Sequence, residues 1–148
     1  MAEGNRSPIA TVRAVSEAEA TGKVAAIFEE IRTIKGIDFV PNIWRVLATN
    51  PDHLESVWMR LKTWMHPEAA GRTAQLDPLT RELIALAVSA TNGCAYCINS
   101  HTAAAMKLGL SPEALGEAMA IIGLFNSTNA IADGYQIEPD VRPPVQQE

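Results

Sequence analysis

Apolar residues recur at intervals of three and four along most of this 148-residue chain, which is the spacing of one face of an α-helix. No stretch shows the alternation of β-branched and aromatic residues between turn residues that a β-hairpin needs. The pattern therefore predicts an all-α fold, a single-domain helical bundle of about six helices. The fourth helix is apolar nearly all round, so we expect it at the centre of the fold.

Each predicted helix begins at a side chain that can cap its first turn or beside a proline. The predicted starts are Ser16, the residue after Pro41, Asn50, Asp77, the position at or just before Cys94, and Ser111. Ser16 and Glu19 have the spacing of a capping box, and Gly36 can close the helix that follows. The last helix is expected to continue to about Asp133. We expect residues 1–15 to form an N-terminal arm, 16–135 the helical domain, and the proline-containing segment 136–148 a C-terminal arm.

Composition narrows the classes of partner. The net charge is −5 and no basic patch is visible, so nucleic acid and anionic membrane surfaces are not expected partners. No apolar run reaches the roughly 20 residues that span a bilayer. The polar N-terminal residues lack the apolar centre of a signal peptide, so we expect a cytoplasmic protein.

The two cysteines of the chain, Cys94 and Cys97, form a C-x-x-C pair. Without an export signal, this spacing favours redox chemistry or metal binding over a disulfide scaffold. On one helix the two Cβ atoms would lie about 5–6 Å apart, somewhat further than a disulfide allows, and a small adjustment of the first turn would close the gap. The first turn of a helix also lowers the pKa of a thiol, because its N–H groups are unpaired.

An imidazole and a carboxylate accompany the cysteines. His101 lies one helical turn beyond Cys97 and on the same face, where it can exchange a proton with the thiol. Glu82 stands in the apolar run of the preceding helix, so it is either turned to solvent or buried against a proton donor. Tyr96 lies between the cysteines and can add a hydroxyl to this network.

Other interpretations remain open at this point. The cysteines could be small core residues, or Cys94, Cys97, His101 and Glu82 could together bind zinc, although a second Cys or His pair is absent. Thioredoxin-type exchange lacks its β-α-β context. On the last helix, Asn126, Asn129 and Asp133 form a polar stripe that could line a pocket, meet a second subunit, or serve a structural role.

Residues 82–101, read as E-L-I-A-L-A-V-S-x-x-N-x-C-x-Y-C-x-x-x-H, resemble the alkylhydroperoxidase D-like, peroxidase-related branch of the carboxymuconolactone decarboxylase superfamily. The run F-N-S-T-N-A-I-A-D from Phe125 to Asp133 is similar to the same branch. The resemblance implies an all-helical fold, a homo-oligomer that is a trimer or hexamer, and peroxide reduction through the cysteine pair. We expect no cofactor and no resident metal.

Carried over by residue, the resemblance implies that Cys97 attacks the peroxide, that Cys94 resolves, and that Glu82 and His101 relay protons. Tyr96 stands where the best-studied type has a second histidine, and a phenol cannot act as a base near neutral pH. The expected partners are a peroxide substrate and an external dithiol reductant. The alternatives are a lactone decarboxylase, which would use acid–base residues without a C-x-x-C pair, and a non-catalytic thiol redox sensor.

Overall fold

The computed structural model describes residues 8–144, and over these residues it contains helices and loops without a β-strand. Its helices are α1 (Gly22–Lys35), α2 (Asn42–Leu47), α3 (Pro51–Met65), α4 (Pro78–Thr91), α5 (Ala95–Lys107) and α6 (Pro112–Gly134), with a short 3₁₀ helix at Pro67–Ala70. The all-α prediction and the expected number of helices are confirmed for this part of the chain. No helix in it is both long and apolar enough to cross a membrane.

The chain divides into two compact units, the first ending at Gln75 and the second beginning at Leu76. The outer parts of the two predicted arms, residues 1–7 and 145–148, lie outside the described residues. The limits of the helical domain, residues 16–135, stay a prediction.

The first unit is built around an apolar core that α1, α2 and α3 share. Trp44 and Trp58 form its centre, with ring centroids 5.3 Å apart in an edge-to-face arrangement. The other buried members are Val24, Ile27, Phe28, Ile31, Val40, Ala48 and Leu54. The members on α1 recur at intervals of three and four, as the sequence pattern requires of one buried helix face.

The predicted start of the first helix at Ser16 is wrong, because α1 begins at Gly22. The capping-box contacts do form: the Ser16 hydroxyl donates to Glu19 Oε2 at 2.7 Å, and the Glu19 amide donates to Ser16 Oγ at 3.3 Å. The Glu19 carboxylate accepts hydrogen bonds from the Ser16 hydroxyl, from Arg13 and from the Ser16 amide, and these lower the pKa of Glu19 to about 2. They close only a turn, since Gly22 has φ +53°, which a helix continuing from Ser16 could not accommodate.

The second unit consists of α4, α5 and α6, and its helix starts agree with the predictions. Asp77 caps α4 by accepting from the Thr80 amide at 3.0 Å, and a proline follows as the first helical residue. Ser111 caps α6 in the same way, accepting from the Ala114 amide at 3.2 Å. α5 begins at Ala95, with Cys94 as its N-cap.

α4 contacts both α5 and α6, so it is the central helix of the second unit. Leu86 on α4 is fully buried, but Ile84 and Val88 are 50% and 55% exposed. α6 has no buried residue at all along its 23 residues. α4 thus lies at the centre of the second unit, where part of its apolar surface stays exposed.

Candidate active site at the start of α5

The end of α4 determines where Cys94 lies. The Gly93 amide donates to the Ala90 carbonyl at 3.3 Å, and the Cys94 amide donates to the Ser89 carbonyl at 3.0 Å. Gly93 adopts φ +69°. These two bonds and the left-handed glycine constitute a Schellman motif, which ends α4 and fixes the direction in which the chain leaves it. The backbone hydrogen bonds of this turn therefore determine where Cys94 lies.

Cys94 and Cys97 are joined by a disulfide, with Cα atoms 5.3 Å apart. This separation lies within the usual range for disulfides, about 4.4–6.8 Å. The adjustment that the sequence required is explained by the conformation of Cys94, which is extended and lies just outside the helix, with φ −83° and ψ 90°. Its Sγ accepts from the Cys97 amide at 3.3 Å and so caps the first turn of α5.

Glu82 and His101 meet between α4 and α5. His101 Nδ1 lies 2.7 Å from Glu82 Oε2, and the two side chains are 26% and 14% exposed. Of the two placements that the sequence allowed for Glu82, burial against a hydrogen-bonding partner is the one observed. This contact occupies Nδ1 and leaves Nε2 as the ring nitrogen of His101 that remains for other contacts.

The predicted site residues form two pairs, Cys94 with Cys97 and Glu82 with His101. One member of each pair lies on α5. His101 follows Cys97 by one helical turn, a rise of about 6 Å along the axis. Cys94 and Cys97 are both half-buried, so neither residue is enclosed in the core. Tyr96 lies in the same first turn and is 42% exposed.

Zinc binding finds no support in the described part of the chain. Over residues 8–144, no three side chains among His, Cys, Asp and Glu are clustered as ligands of one metal ion. Cys94 and Cys97 bond to each other, and Glu82 bonds to His101.

Two residues near the cysteines, Ser89 and Thr91, were not identified from the sequence. Ser89 is buried, donates its hydroxyl to the Ala85 carbonyl at 2.6 Å, and receives the Cys94 amide on its own carbonyl. Thr91, the last residue of α4, donates its hydroxyl to Asn126 Oδ1 on α6 at 3.1 Å. Asn92-Gly93 could have indicated the Schellman turn and hence Ser89, whereas the Thr91–Asn126 contact joins residues 35 apart and has no local sequence pattern.

A family model described as the carboxymuconolactone decarboxylase family matches residues 61–137, just over half of the chain. The chain belongs to the carboxymuconolactone decarboxylase family. The match includes both pairs of predicted site residues, and the resemblance noted in the sequence is confirmed.

The relatives include alkyl hydroperoxide reductases. The chain is 32% identical over 101 residues to alkyl hydroperoxide reductase AhpD from Solibacter usitatus, covering 68% of this chain and 54% of that protein. It is 30% identical over 129 residues to AhpD from Brucella abortus, covering 84% and 70% respectively. A 49-residue match to the protein YdfG of Bacillus subtilis, at 43% identity, spans a third of each chain. The chain thus covers only a third to just over half of two of these relatives.

A solved structure has the same fold. The crystal structure of the alkylhydroperoxidase AhpD core from Rhodospirillum rubrum superposes with a TM-score of 0.81 at 47% identity, covering 89% of this chain and 95% of that one. This carboxymuconolactone decarboxylase family member therefore has an AhpD-core-like fold and carries a C-x-x-C pair at Cys94 and Cys97.

Proposed function

We propose that this protein is a thiol-dependent peroxidase that reduces hydrogen peroxide or organic hydroperoxides through Cys94 and Cys97. The observation that carries the proposal is the half-buried Cys94–Cys97 disulfide at the start of α5, one turn from the paired Glu82 and His101. A disulfide in this position is the oxidised product of such a reaction.

Cys97 is the attacking thiol in this mechanism. Its thiolate attacks one peroxide oxygen, so that an S–O bond forms while the O–O bond breaks. The sulfur loses two electrons and becomes a sulfenic acid, and the departing oxygen takes up a proton to leave as water or an alcohol. Cys94 then attacks the sulfenic sulfur, the S–S bond forms and water leaves.

Glu82 and His101 supply and accept the protons of these steps. Because the Glu82 carboxylate is bonded to Nδ1, it stabilises an imidazolium formed when His101 accepts the proton of a cysteine thiol. The same imidazolium can return a proton to the departing oxygen. Tyr96 is placed in this proposal as a hydrogen-bonding hydroxyl and not as a base.

An external dithiol restores the pair. One of its thiolates attacks the protein disulfide, and its second thiol displaces the mixed disulfide, so the reductant leaves oxidised and both protein thiols return. The first turn of α5 is accessible to such a partner, since Ala95 and Tyr96 are exposed beside the half-buried cysteines.

Substitution of each cysteine tests the assignment. With cumene hydroperoxide and a small dithiol, Cys97→Ser should abolish turnover. With the hydroperoxide and dimedone but no dithiol, Cys94→Ser should undergo one oxidation to a sulfenic acid that dimedone traps for mass spectrometry. Ser100→Ala, an exposed change on the same helix, is the control and should retain turnover. Unchanged turnover in Cys97→Ser would contradict the proposal.

A further inference from the structure

We propose that Thr91 and Asn126 act as positioning residues that hold Cys94 within bonding distance of Cys97, and that they thereby lower the reduction potential of the pair. The inference rests on the redox-active pair of the proposed function, but its test uses no peroxide. If the peroxidase assignment failed, the effect of these residues on the reduction potential could still be measured. If that effect were absent, the peroxidase assignment would be unaffected.

The contact joins two helices at the end where Cys94 is located. Thr91 is the last residue of α4, and its hydroxyl donates to Asn126 Oδ1 at 3.1 Å. Asn126 belongs to the polar stripe on α6, a helix otherwise rich in apolar residues. The hydrogen bond therefore ties the C-terminal turn of α4 to the middle of α6.

Thr91 is connected to Cys94 through the turn that ends α4. Only Asn92 and Gly93 separate the two residues, and the Cys94 amide bonds back to the Ser89 carbonyl inside α4. Motion of the last turn of α4 would thus carry Cys94 with it. Cys94 lies outside α5. After reduction of the disulfide, the position of the Cys94 sulfur is therefore determined by the turn at the end of α4 and by the contact of Cys94 Sγ with the Cys97 amide.

A fixed position of Cys94 favours closure of the disulfide. Forming the S–S bond from two thiols costs conformational entropy, and less of it when the reduced chain already holds the sulfur atoms close together. Without the Thr91–Asn126 bond, the last turn of α4 samples more conformations in the reduced protein. The equilibrium between dithiol and disulfide then shifts towards the dithiol, and the reduction potential becomes less negative.

The equilibrium can be measured against dithiothreitol. In this exchange the two protein thiols lose two hydrogens and form the disulfide, while oxidised dithiothreitol gains them; the fraction oxidised is read by intact mass after acid quenching. Thr91→Val removes the hydroxyl at nearly constant shape, and Asn126→Ala removes its acceptor. Each should lower the equilibrium constant for protein disulfide formation about threefold, the size expected for one hydrogen bond. Threefold corresponds to a potential about 14 mV less negative.

Two controls separate the hydrogen bond from general effects of substitution. Thr91→Ser keeps the hydroxyl and should restore the wild-type potential. Asn129→Ala, one turn further along the same polar stripe, should leave it unchanged. The double variant Thr91→Val with Asn126→Ala should match either single variant, because both remove the same bond.

A wild-type potential in Thr91→Val would overturn the inference, even if Asn126→Ala failed to fold. It would also be overturned if the two effects simply added, or if Asn129→Ala shifted the potential as much as Asn126→Ala.

Discussion

At the scale of single residues, the proposed chemistry depends on the contact between Glu82 and His101. The carboxylate is 14% exposed, and a charge at that burial is costly unless it is hydrogen-bonded. His101 satisfies this requirement and gains a fixed orientation in return. The pair therefore has a structural role and a proposed catalytic role. A conservative substitution can separate these two roles.

Glu82→Gln should reduce kcat/KM for a hydroperoxide about 100-fold without unfolding the protein. Glutamine keeps an oxygen that accepts from His101 Nδ1, but it lacks the charge that stabilises the imidazolium. Steady-state kinetics with a dithiol reductant, together with circular dichroism, measure the two effects. Glu117→Gln, an exposed change on α6, is the matched control. An unchanged kcat/KM in Glu82→Gln would exclude the proposed relay.

Residue spacing predicted part of this site and could not predict the rest. Cys94, Cys97 and His101 lie within eight residues, so helical geometry alone relates them. The placement of Glu82 required a second helix, and the sequence left its two possible environments open. The Thr91–Asn126 bond was not predicted, because it depends on how α4 packs against α6.

At the scale of helices, the capping residues explain where each element begins. Asn50, Asp77, Cys94 and Ser111 each cap the helix that follows, and all four starts were predicted, because a cap is a contact within three residues. The same reasoning failed at Ser16, where the capping box forms but closes only a turn. A local motif specifies a hydrogen bond, whereas continuation of a helix also requires that the next residues keep helical dihedral angles.

The cap of α4 should make stability depend on pH. Hydrogen bonds from the Thr80 hydroxyl and amide lower the pKa of Asp77 below its ordinary value of 3.8. Because the folded pKa is the lower one, the stabilisation is fully present above the unfolded pKa and is lost as the pH falls through the folded pKa. Asp77→Asn keeps a capping oxygen but does not titrate.

Urea unfolding at about pH 7, 5 and 3 measures this difference. The advantage of wild type over Asp77→Asn should be constant between about pH 7 and 5 and smaller at about pH 3. Asn50→Ser, which exchanges one non-titrating cap for another on α3, should differ from wild type by an amount independent of pH. A constant difference between wild type and Asp77→Asn across the whole range would refute the account of the cap.

At the scale of the whole molecule, the second unit leaves much of its apolar surface uncovered. The half-exposed side chains of α6 include Ile121, Leu124, Phe125 and Ile131. Burying a fully exposed side chain of this size gains about 1.5–3 kcal/mol, so covering the exposed half of each gains roughly half of that. Exposed patches of this kind mark interaction surfaces, so we expect α6 to lie in the contact between copies of the chain in a homo-oligomer.

Leu124→Glu should shift the protein from an oligomer towards the monomer, because it places a charge in that contact. Sedimentation velocity or light scattering during size-exclusion chromatography measures the mass. Val141→Glu introduces the same charge at an exposed apolar position outside the helices and should leave the oligomer intact. A wild-type protein that is monomeric at micromolar concentration would contradict the prediction.

The sequence pattern cannot distinguish burial within one chain from burial against a second copy of the chain. An apolar residue at helical spacing has the same periodicity whether its own chain or a second copy covers it. For this reason the apolar pattern of α4 predicted a central position but not which of its faces stay exposed, and the number of subunits could not be derived from the spacing.

The central claim is that Cys94 and Cys97 are oxidised together by peroxide. The most direct test is intact mass with thiol counting on the reduced protein, before and after one equivalent of cumene hydroperoxide at neutral pH. We expect a rapid loss of two hydrogens and of both thiols, with recovery of both after a dithiol is added. Two unmodified thiols after exposure to the hydroperoxide would contradict the proposed function.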